Sequence, residues 1–520
     1  MAHEKSALLW GVTVIIIAIL GVLFAGHYLI FTNINNLYGW PIIAVSLICV
    51  LLIWTVGVRE ILSYLISLAI NKFRPVLDPD TPAPVGKRVV LLYCTSDDFD
   101  PDSLGRSIKQ TYPGVKTVIL DDSNTEESRE KVDTWAKRRK IEVRRRENRL
   151  GFKAGNLNSY LLDQDDYDYF VILDADEVLS KTFVEKALNY FVEDPNLGIV
   201  QGHHSANRMS NDFTSRFAPG LEPYLLATNR VKTYFGYAAM LGHGAMISRE
   251  CFESVGKMPE VVLEDLAFSL EASESGWGII YAPNVRADEL FPISYHAFRK
   301  QHLKLAQGRV EFLQKYMKRI WRAPMPWFAK LDLITSNLAV PIVTLAGFVF
   351  LLNNTIVMSL LHWDPGFPIW AGIVFFACSI AALLPDITNR IRHRQDPFWL
   401  GLYTLQAMAL HSSVFMLILR TSLLGMLGRK AKYPITPKVA AKVGRFEALR
   451  LMIVDILIGG LVMAACWIVA ENPAPAMMLV IPPIMAVWYA RLSNKEPAHE
   501  LEVGDYASYL HAQGRMYPMR

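Results

Sequence analysis

Long apolar runs without charge stand at both ends of this 520-residue chain, and a charged middle of about residues 85–310 separates them. Several of these runs reach the roughly 20 residues that a helix needs to cross the hydrocarbon core of a bilayer. The middle carries the mixed charges and regular strand and helix patterns of a water-soluble domain. The sequence therefore predicts an integral membrane protein with one soluble domain inserted between two helical membrane regions.

Six segments are predicted to cross the membrane, two before the soluble domain and four after it. The first is longer than a signal-peptide core and lacks a small-x-small cleavage site, so we expect it to be retained. A short apolar helix at 61–70 is expected to emerge into the cytoplasmic interface, because Lys72 and Arg74 follow it. The predicted spans are 7–31, 39–58, 331–353, 367–385, 450–470 and 475–490.

The apolar segment 398–419 is predicted to lie at the cytoplasmic interface as a helix. Polar residues such as Gln406 and His411 interrupt it, and the stretch 420–450 that follows is strongly basic. A crossing here would place that basic stretch outside, against the excess of positive charge in cytoplasmic loops. Both termini are then expected inside, and a seventh crossing is the alternative.

Net charge and cysteine spacing argue against nucleic-acid binding and against a disulfide or cysteine-metal framework. The net charge of +4 gives no case for nucleic acid as a partner. The five cysteines show no metal-ligand spacing, which indicates reduced thiols and no disulfide framework.

Strands alternate with helices from Lys87 onward, which predicts a parallel, doubly wound sheet. Strands are predicted at 89–93, 115–120, 141–145 and 169–173, with helices at 102–110, 126–139 and 154–162. Prolines make 75–86 a linker. The expected regions are membrane helices 1–74, the linker, a cytosolic domain 87–310, a membrane region 311–490, and a cytosolic tail 491–520 that is too short for another domain.

Asp174 and Asp176 leave the strand at 169–173 at its C-terminal end, the edge at which open α/β sheets bind ligands. Because they are two residues apart, both carboxylates can turn toward one ligand. A hard divalent cation that bridges phosphates takes one or two such oxygen ligands from protein. The pattern predicts a metal–nucleotide site, and the alternative is an ordinary acidic turn.

Other charged residues are expected near that edge. Lys153 lies in a glycine-flanked loop before a helix, where an ammonium can meet a diphosphate. Glu264 and Asp265 open a predicted helix; they suit its N-terminus electrostatically, or one of them acts as a general base. Two further strands end in acidic pairs, Asp97/Asp98 and Asp121/Asp122.

Taken together, these residues resemble the membrane-embedded family-2 glycosyltransferases of the cellulose synthase and hyaluronan synthase type, which are processive β-glycan synthases. The resemblance covers about residues 87–440. It implies a GT-A-like cytosolic α/β domain with a parallel-rich, nucleotide-binding sheet, inserted in an α-helical transmembrane domain. The motifs follow the family's order: Asp121-Asp122, Lys153-Ala-Gly-Asn156, Asp174-Ala-Asp176, Gln201, Gly242-His-Gly244, Glu264-Asp265, Glu289, and a helix from Gln301.

The resemblance also implies residue roles. Asp176, assisted by Asp174, would hold Mg²⁺ or Mn²⁺, and Asp265 would deprotonate the acceptor hydroxyl. The nucleotide-sugar site would comprise these two aspartates with Asp98, Asp121, Asp122, Lys153 and Lys304; Asp121 or Asp122 would hold the nucleobase, and Lys153 the diphosphate. The acceptor would meet Gln201, Gly242, His243, Glu264, Gln301 and Leu305. The stretch 433–438 is similar to the family's Phe-x-Val-Thr-x-Lys gating loop, through Tyr433, Thr436 and Lys438.

The chain departs from the family pattern at the acceptor end. The usual Gln-x-x-Arg-Trp is here Gln301-His-Leu-Lys304-Leu305. Lys304 keeps the positive charge but lacks the bidentate fork of arginine, and Leu305 lacks the aromatic platform for a sugar. Tyr295, His296 or Phe298 is expected to supply a ring instead. Leu263 and Ser96-Asp97-Asp98 also differ from the usual residues.

The sequence therefore predicts an inverting, metal-dependent glycosyltransferase of a bacterial inner membrane. It would polymerise a β-linked glycan, with UDP-glucose as the leading donor, and secrete it through its own membrane helices, with room for periplasmic or accessory secretion partners. One alternative is a non-processive transferase that glycosylates a lipid. Another is a transporter or scaffold that binds nucleotides without turnover.

Overall fold

The computed structural model describes residues 39–73, 82–206, 211–361, 369–429 and 442–495, together with positions 21 and 79. Except for position 21, the predicted first span at 7–31 lies outside these residues, as do the gating-loop residues Tyr433, Thr436 and Lys438. So does most of the predicted tail.

The soluble domain is built on one eight-stranded sheet with the order β3-β2-β1-β4-β7-β6-β8-β5. The first four strands in this order are parallel, as the sequence predicts. The strands are β1 (Val89–Thr95), β2 (Lys116–Asp121), β3 (Glu142–Arg144), β4 (Tyr169–Asp174), β5 (Val178–Leu179), β6 (Leu197–His203), β7 (Ala245–Ser248) and β8 (Gly278–Asp288).

Helices cover both faces of this sheet, so its central strands are buried on each side. In β1, Leu91 and Tyr93 enter one core while Val90 and Leu92 enter the other, which explains why the run reads as continuously apolar. The helices of this region are α2 (Pro101–Ser107), α3 (Glu126–Arg139), α4 (Phe152–Leu161), α5 (Phe183–Glu193), α6 (Asp212–Phe217), α7 (Leu221–Phe235), α8 (Arg249–Val255), α9 (Glu264–Glu274) and α10 (Tyr295–Arg322).

Strand β7 runs antiparallel to both of its neighbours, which the sequence analysis did not predict. Its first residue, Ala245, pairs with Ile172 near the end of β4 and with Gln201 in β6. The chain therefore enters β7 at the edge where β4 ends. This direction places the Gly242–Gly244 loop beside Asp174, and a parallel strand would place it at the opposite edge.

One membrane-region helix continues well beyond its predicted span, which ended at residue 58. Helix α1 runs without a break from Gly39 to Phe73, although Arg59 was expected to end a span. Arg59 Nη1 instead donates to Asp332 Oδ1 of another helix at 2.8 Å, so its charge is neutralised inside the protein. The other helices here are α11 (Trp327–Leu352), α12 (Met358–Leu360), α13 (Ile369–Ile380), α14 (Leu384–Arg392), α15 (Pro397–Ser412), α16 (Phe415–Met426), α17 (Arg445–Ala470) and α18 (Met477–Leu492).

Six helical segments of the described residues are long and apolar enough to cross a membrane. One of them, Pro397–Met426, contains the segment that the sequence analysis placed at the interface. Its length and composition would permit a crossing, and its interfacial position stays a prediction. The other five are Pro41–Phe73, Trp327–Leu360, Gly372–Arg392, Arg445–Ala470 and Ala474–Leu492.

Candidate active site

A cavity of about 220 Å³ lies at the carboxyl edge of β4. Sequence-distant loops and the helix α10 meet around it. It brings together ten of the predicted site residues: Lys153, Asp174, Asp176, Gly242, His243, Glu264, Asp265, Gln301, Lys304 and Leu305.

Lys153 connects two sides of this cavity. It lies in the first turn of α4, which follows Gly151 in the left-handed conformation (φ +75°). Its ammonium is ion-paired with Asp174 and donates to the carbonyl oxygen of Gly242 at 2.8 Å. The ammonium is therefore held at the point where the β4 edge and the loop before β7 meet.

The two aspartates after β4 have different environments. Asp174 keeps 34% of its side chain exposed, whereas Asp176 is buried and its Oδ2 accepts a hydrogen bond from the backbone N–H of Leu290 at 3.2 Å. Both line the same cavity. Carboxylate oxygens at this position are the donors that Mg²⁺ and Mn²⁺ prefer, so this pair fits a divalent cation.

Asp265 faces the same space from the first turn of α9. Its Oδ1 accepts from the N–H of Leu266 at 2.8 Å. On the opposite side stands Gly242 with φ +94°, where an added Cβ would lie 3.2 Å from Asp265 Oδ2. Glycine thus permits both the left-handed backbone and the close approach of this loop to the carboxylate.

Burial makes Asp265 and Glu264 more basic than ordinary carboxyl groups. It raises the pKa of Asp265, against the N–H of Leu266 and the charges of Lys304 and Lys153, which lower it. Burial, and then the charge of Asp265, raise the pKa of Glu264 to about 7. A carboxylate with a raised pKa next to a cavity has the properties of a general base.

Gln201 does not line the cavity but holds one of its walls. Its side chain is fully buried, and its Oε1 accepts from the N–H of Leu241 at 2.7 Å. Its Nε2 donates to the carbonyl oxygen of His243 at 3.0 Å. Gln201, which was predicted to meet the acceptor, therefore holds the Gly242–Gly244 loop in place from outside the cavity.

Two histidines and two glutamates form a cluster at that loop. Two of them, His243 and Glu289, also line the cavity and belong to the predicted motif order. His243 Nδ1 lies 3.1 Å from Glu177 Oε1, and its Nε2 lies 3.2 Å from Glu289 Oε2. The ring of His204 stacks on that of His243 with centroids 4.6 Å apart. The available signals were the adjacency of Glu177 to Asp176 and the His203-His204 pair at the end of β6.

Charged groups in this cluster shift the pKa values of His243 and Glu289. Burial opposes protonation of His243, but Glu177 and Asp174 raise its pKa well above the usual value. Burial likewise opposes ionisation of Glu289, but the neighbouring rings of His204 and His243 hold its pKa below the usual range. Donor atoms of Glu177, His204 and His243 lie within 4.8 Å of one another, so this set could also hold a metal ion.

The predicted nucleobase end lies along β1 and β2, outside the residues that line the cavity. Arg145 Nε donates to Asp121 Oδ2 at 2.7 Å, and Arg146 donates to both oxygens of Asp122 at 3.0 and 2.7 Å. Asp98 Oδ1 accepts from the N–H of Ser96 at 2.8 Å. All three carboxylates are therefore already engaged by protein donors.

Helix α10 contributes lining residues both to the cavity of about 220 Å³, the candidate catalytic cavity, and to a second one of about 620 Å³. Gln301, Lys304 and Leu305 line the catalytic cavity, as expected of neighbours three and four residues apart on one helix face. His302 and Arg309 line the larger cavity. Leu241 borders both cavities.

Among the described residues that line the candidate catalytic cavity, Phe291 supplies a phenyl ring. Tyr295 and Phe298, two of the expected sources, are instead buried in the core between α10 and the membrane helices. Tyr295 is hydrogen-bonded there to Ser413 at 2.8 Å. His296 is not among the residues that line the cavity.

Similar proteins were found both by sequence and by structure. Two are probable glucomannan 4-beta-mannosyltransferases of Oryza sativa subsp. japonica. Number 4 is 24% identical over 326 residues, or 59% of this chain and 58% of its own length. Number 3 is 25% identical over 316 residues, or 57% and 56%. The chain thus spans little more than half the length of these curated relatives.

A solved structure is similar to a larger part of the chain. It is the mannosyltransferase PcManGT from Pyrobaculum calidifontis in complex with GDP-Man and Mn²⁺, with a TM-score of 0.45 and 18% identity, covering 74% of this chain and 99% of the other. A model of the family described as glycosyl transferase family group 2 matches residues 169–489. That match includes Asp174, Asp176, Asp265 and the helix α10, and covers more than half of the chain, so the protein belongs to glycosyl transferase family group 2.

Proposed function

We propose that the protein is an inverting, metal-dependent hexosyltransferase that extends a β-linked glycan from a nucleotide-sugar. The observation that carries the proposal is the convergence of Asp265, Lys153 and the aspartate pair 174/176 on one cavity of about 220 Å³. Each is of a type that glycosyl transfer needs: a base, a cation for the diphosphate, and oxygen ligands for a metal. Mere nucleotide binding would not need Asp265.

The reaction follows from these positions. An acceptor hydroxyl loses its proton to Asp265, and its oxygen bonds to the anomeric carbon as the bond from that carbon to the diphosphate breaks. The nucleoside diphosphate leaves on the side of Lys153 and Lys304, whose charges stabilise the developing negative charge. A cation held by Asp176 with Asp174, Mg²⁺ or Mn²⁺, would supply Lewis-acid stabilisation of the same leaving group.

The donor that we favour is UDP-glucose, which gives a β-glucan. A second candidate is GDP-mannose, because the two plant relatives are named as glucomannan mannosyltransferases. Asp98, Asp121 and Asp122 form the proposed nucleobase end. Ion pairs with Arg145 and Arg146 fix the carboxylates of Asp121 and Asp122 in place. The nucleobase would therefore bind next to these ion pairs.

The glycan is proposed to leave through the membrane helices. What supports this route is the larger cavity of about 620 Å³, which shares the lining residue Leu241 with the catalytic cavity and is lined by residues of α1 and α11. The consecutive residues Asp265 and Leu266 line the catalytic and the larger cavity, respectively. An acceptor bound at Asp265 would therefore have space behind it for the chain already made.

We place the protein in a bacterial inner membrane with its catalytic domain in the cytoplasm, where nucleotide-sugars are made. Accessory secretion partners outside that membrane fit this role. In the alternative function a single sugar is added to a lipid. It is favoured by Leu305, which offers no flat platform on which a growing chain could stack.

The size of the product distinguishes these functions. Purified protein in lipid nanodiscs would be supplied with radiolabelled UDP-glucose or GDP-mannose, and the products would be separated by chain length and treated with β-specific glycanases. Long, glycanase-sensitive chains are expected. Single additions to lipid would establish the alternative, and binding of nucleotide without turnover would leave a scaffold or transporter.

A further inference from the structure

The larger cavity combines an apolar wall with an excess of positive charge. Its membrane side is lined by aliphatic side chains, among them Val340, Val343 and Ile418. Its polar end is formed by α1, α7, α10 and α11, where five charged residues converge: Arg59, Glu60, Lys232, Arg309 and Asp332. A space of about 620 Å³ with an apolar wall and a charged end is suited to an amphiphile.

Both acids at this end already have cationic partners. Arg59 Nη1 lies 2.8 Å from Asp332 Oδ1, and its other terminal nitrogen contacts Glu60. Asp332 Oδ2 is also within 3.9 Å of Lys232 Nζ. The polar end of the cavity thus holds three basic side chains and only these two carboxylates among its described lining residues.

Arg309 carries the charge that remains. Throughout the part of the chain that the structure describes, no carboxylate lies within ion-pair distance of its guanidinium. Burial lowers the pKa of Arg309, and the nearby charge of Arg59 lowers it further, against Tyr224 and Glu60. A partly buried cation of this kind gains from a bound anion, because water screens the attraction less there than at the surface.

Arg309 lies close along the helix to Leu305, a residue proposed to meet the acceptor. It follows Leu305 by four residues on α10, which is about 6 Å along a helix axis. An anion bound to it would lie about one helical turn from the acceptor end of the catalytic cavity. A guanidinium matches the oxygens of a phosphate in bidentate fashion better than it matches a neutral sugar.

We propose that this cavity binds an amphiphile with a phosphate headgroup, with Arg309 on the phosphate and the aliphatic wall on its chain. The inference rests on the proposed function and deepens it, because it identifies the first acceptor as a lipid-linked one. The bound lipid would present its sugar or hydroxyl toward Asp265. In a processive enzyme, the same space would then receive the growing glycan.

A binding experiment tests this without relying on sugar transfer. Full-length protein in nanodiscs of a zwitterionic phospholipid would be exposed to a radiolabelled long-chain alkyl monophosphate and, separately, to the alcohol of the same chain. We expect the phosphate to be retained at least about tenfold better, as one charge-assisted contact can supply. Arg309→Gln should remove this difference, Arg309→Lys should keep part of it, and Lys318→Gln, on an exposed part of the same helix, should keep all of it.

Other outcomes would overturn the inference. Equal retention of the two lipids, or a preference for the phosphate that survives in Arg309→Gln, would show that Arg309 does not select a phosphate. Full displacement of the lipid by inorganic phosphate would show a site for the free ion and not for a lipid. Because binding is measured apart from transfer, wild-type protein that elongates a soluble oligosaccharide but ignores the lipid would contradict this inference alone.

Discussion

The ammonium of Lys153 is ion-paired with the carboxylate of Asp174. The helix start proposed to meet the donor diphosphate is thereby joined to the strand end proposed to meet the metal. The same ammonium donates to the carbonyl oxygen of Gly242, so one side chain also holds the loop proposed to border the acceptor. The proposed donor, metal and acceptor positions are consequently set by the same few contacts, and we expect a change at one of them to alter the others.

The aspartate pair predicts a requirement for a divalent cation. Asp176→Asn should abolish transfer and weaken donor binding, because the metal loses a negatively charged ligand that helps to neutralise the diphosphate. Donor binding would be measured by calorimetry and transfer with labelled nucleotide-sugar. Asp163→Asn, an exposed change in the same domain, is the matched control. Full activity of wild-type protein in excess chelator would refute the metal assignment.

The lysine beside Asp265 predicts a shift in the pH profile. Burial raises the pKa of Asp265 and the charge of Lys304 lowers it. Activity should therefore fall as the pH drops through the raised pKa, because the base becomes protonated. In Lys304→Gln that fall should occur at a higher pH, whereas Lys318→Gln should leave it in place. An unchanged or lower pH of half-maximal kcat/KM in Lys304→Gln would exclude Asp265 as the group observed.

Sequence patterns predicted the parallel strands of the sheet but not the antiparallel direction of strand β7. The apolar and β-branched runs of β1, β2 and β4 predicted strands within one or two residues of their observed ends, because burial on both faces leaves a continuous signal. The sequence contains no comparable pattern for the direction of β7. The antiparallel pairing of β7 with β4 and β6 places the preceding Gly242 near Asp265. The order of the motifs assigned Gly242 and Asp265 to one site but did not predict how they come together.

Partners of charged groups were the other feature that the sequence did not reveal. The aspartates after β2 were predicted to be available to a nucleobase, yet Arg145 and Arg146 engage them. His204 lies opposite His243 only because β6 and β7 are neighbours. Contacts of this kind join residues far apart in the chain, so periodicity and spacing do not report them.

Leu305 predicts an acceptor geometry unlike that of relatives with tryptophan at this position. Leu305→Trp should shorten the product or slow elongation, because a bulky ring overpacks a site fitted to leucine and Phe291 already provides an aromatic surface. Product length and linkage would be determined by chromatography and methylation analysis. Leu305→Met, which conserves volume, should stay near wild type. Longer products from Leu305→Trp would instead indicate an enzyme weakened by loss of the platform.

The basic stretch after residue 420 predicts that both ends of Pro397–Met426 face the cytoplasm. Single cysteines would replace Arg394 and Lys442, which are both exposed, in a chain without its native cysteines. Both should resist an impermeant thiol reagent in intact cells and react after permeabilisation. Labelling of position 442 from outside, with position 394 protected, would establish a crossing by α15 and α16.

Asp265 is the residue on which the proposed chemistry depends, and Asp265→Asn tests it most directly. With proton abstraction removed, kcat should fall by about 10²–10⁴-fold, while the dissociation constant for the donor, measured by calorimetry on the same preparation, should stay close to wild type. Glu264→Gln, a change one residue away at a buried position, controls for loss of a neighbouring charge and should retain more activity. An Asp265→Asn protein that turns over at the wild-type rate would contradict this assignment and place the base elsewhere.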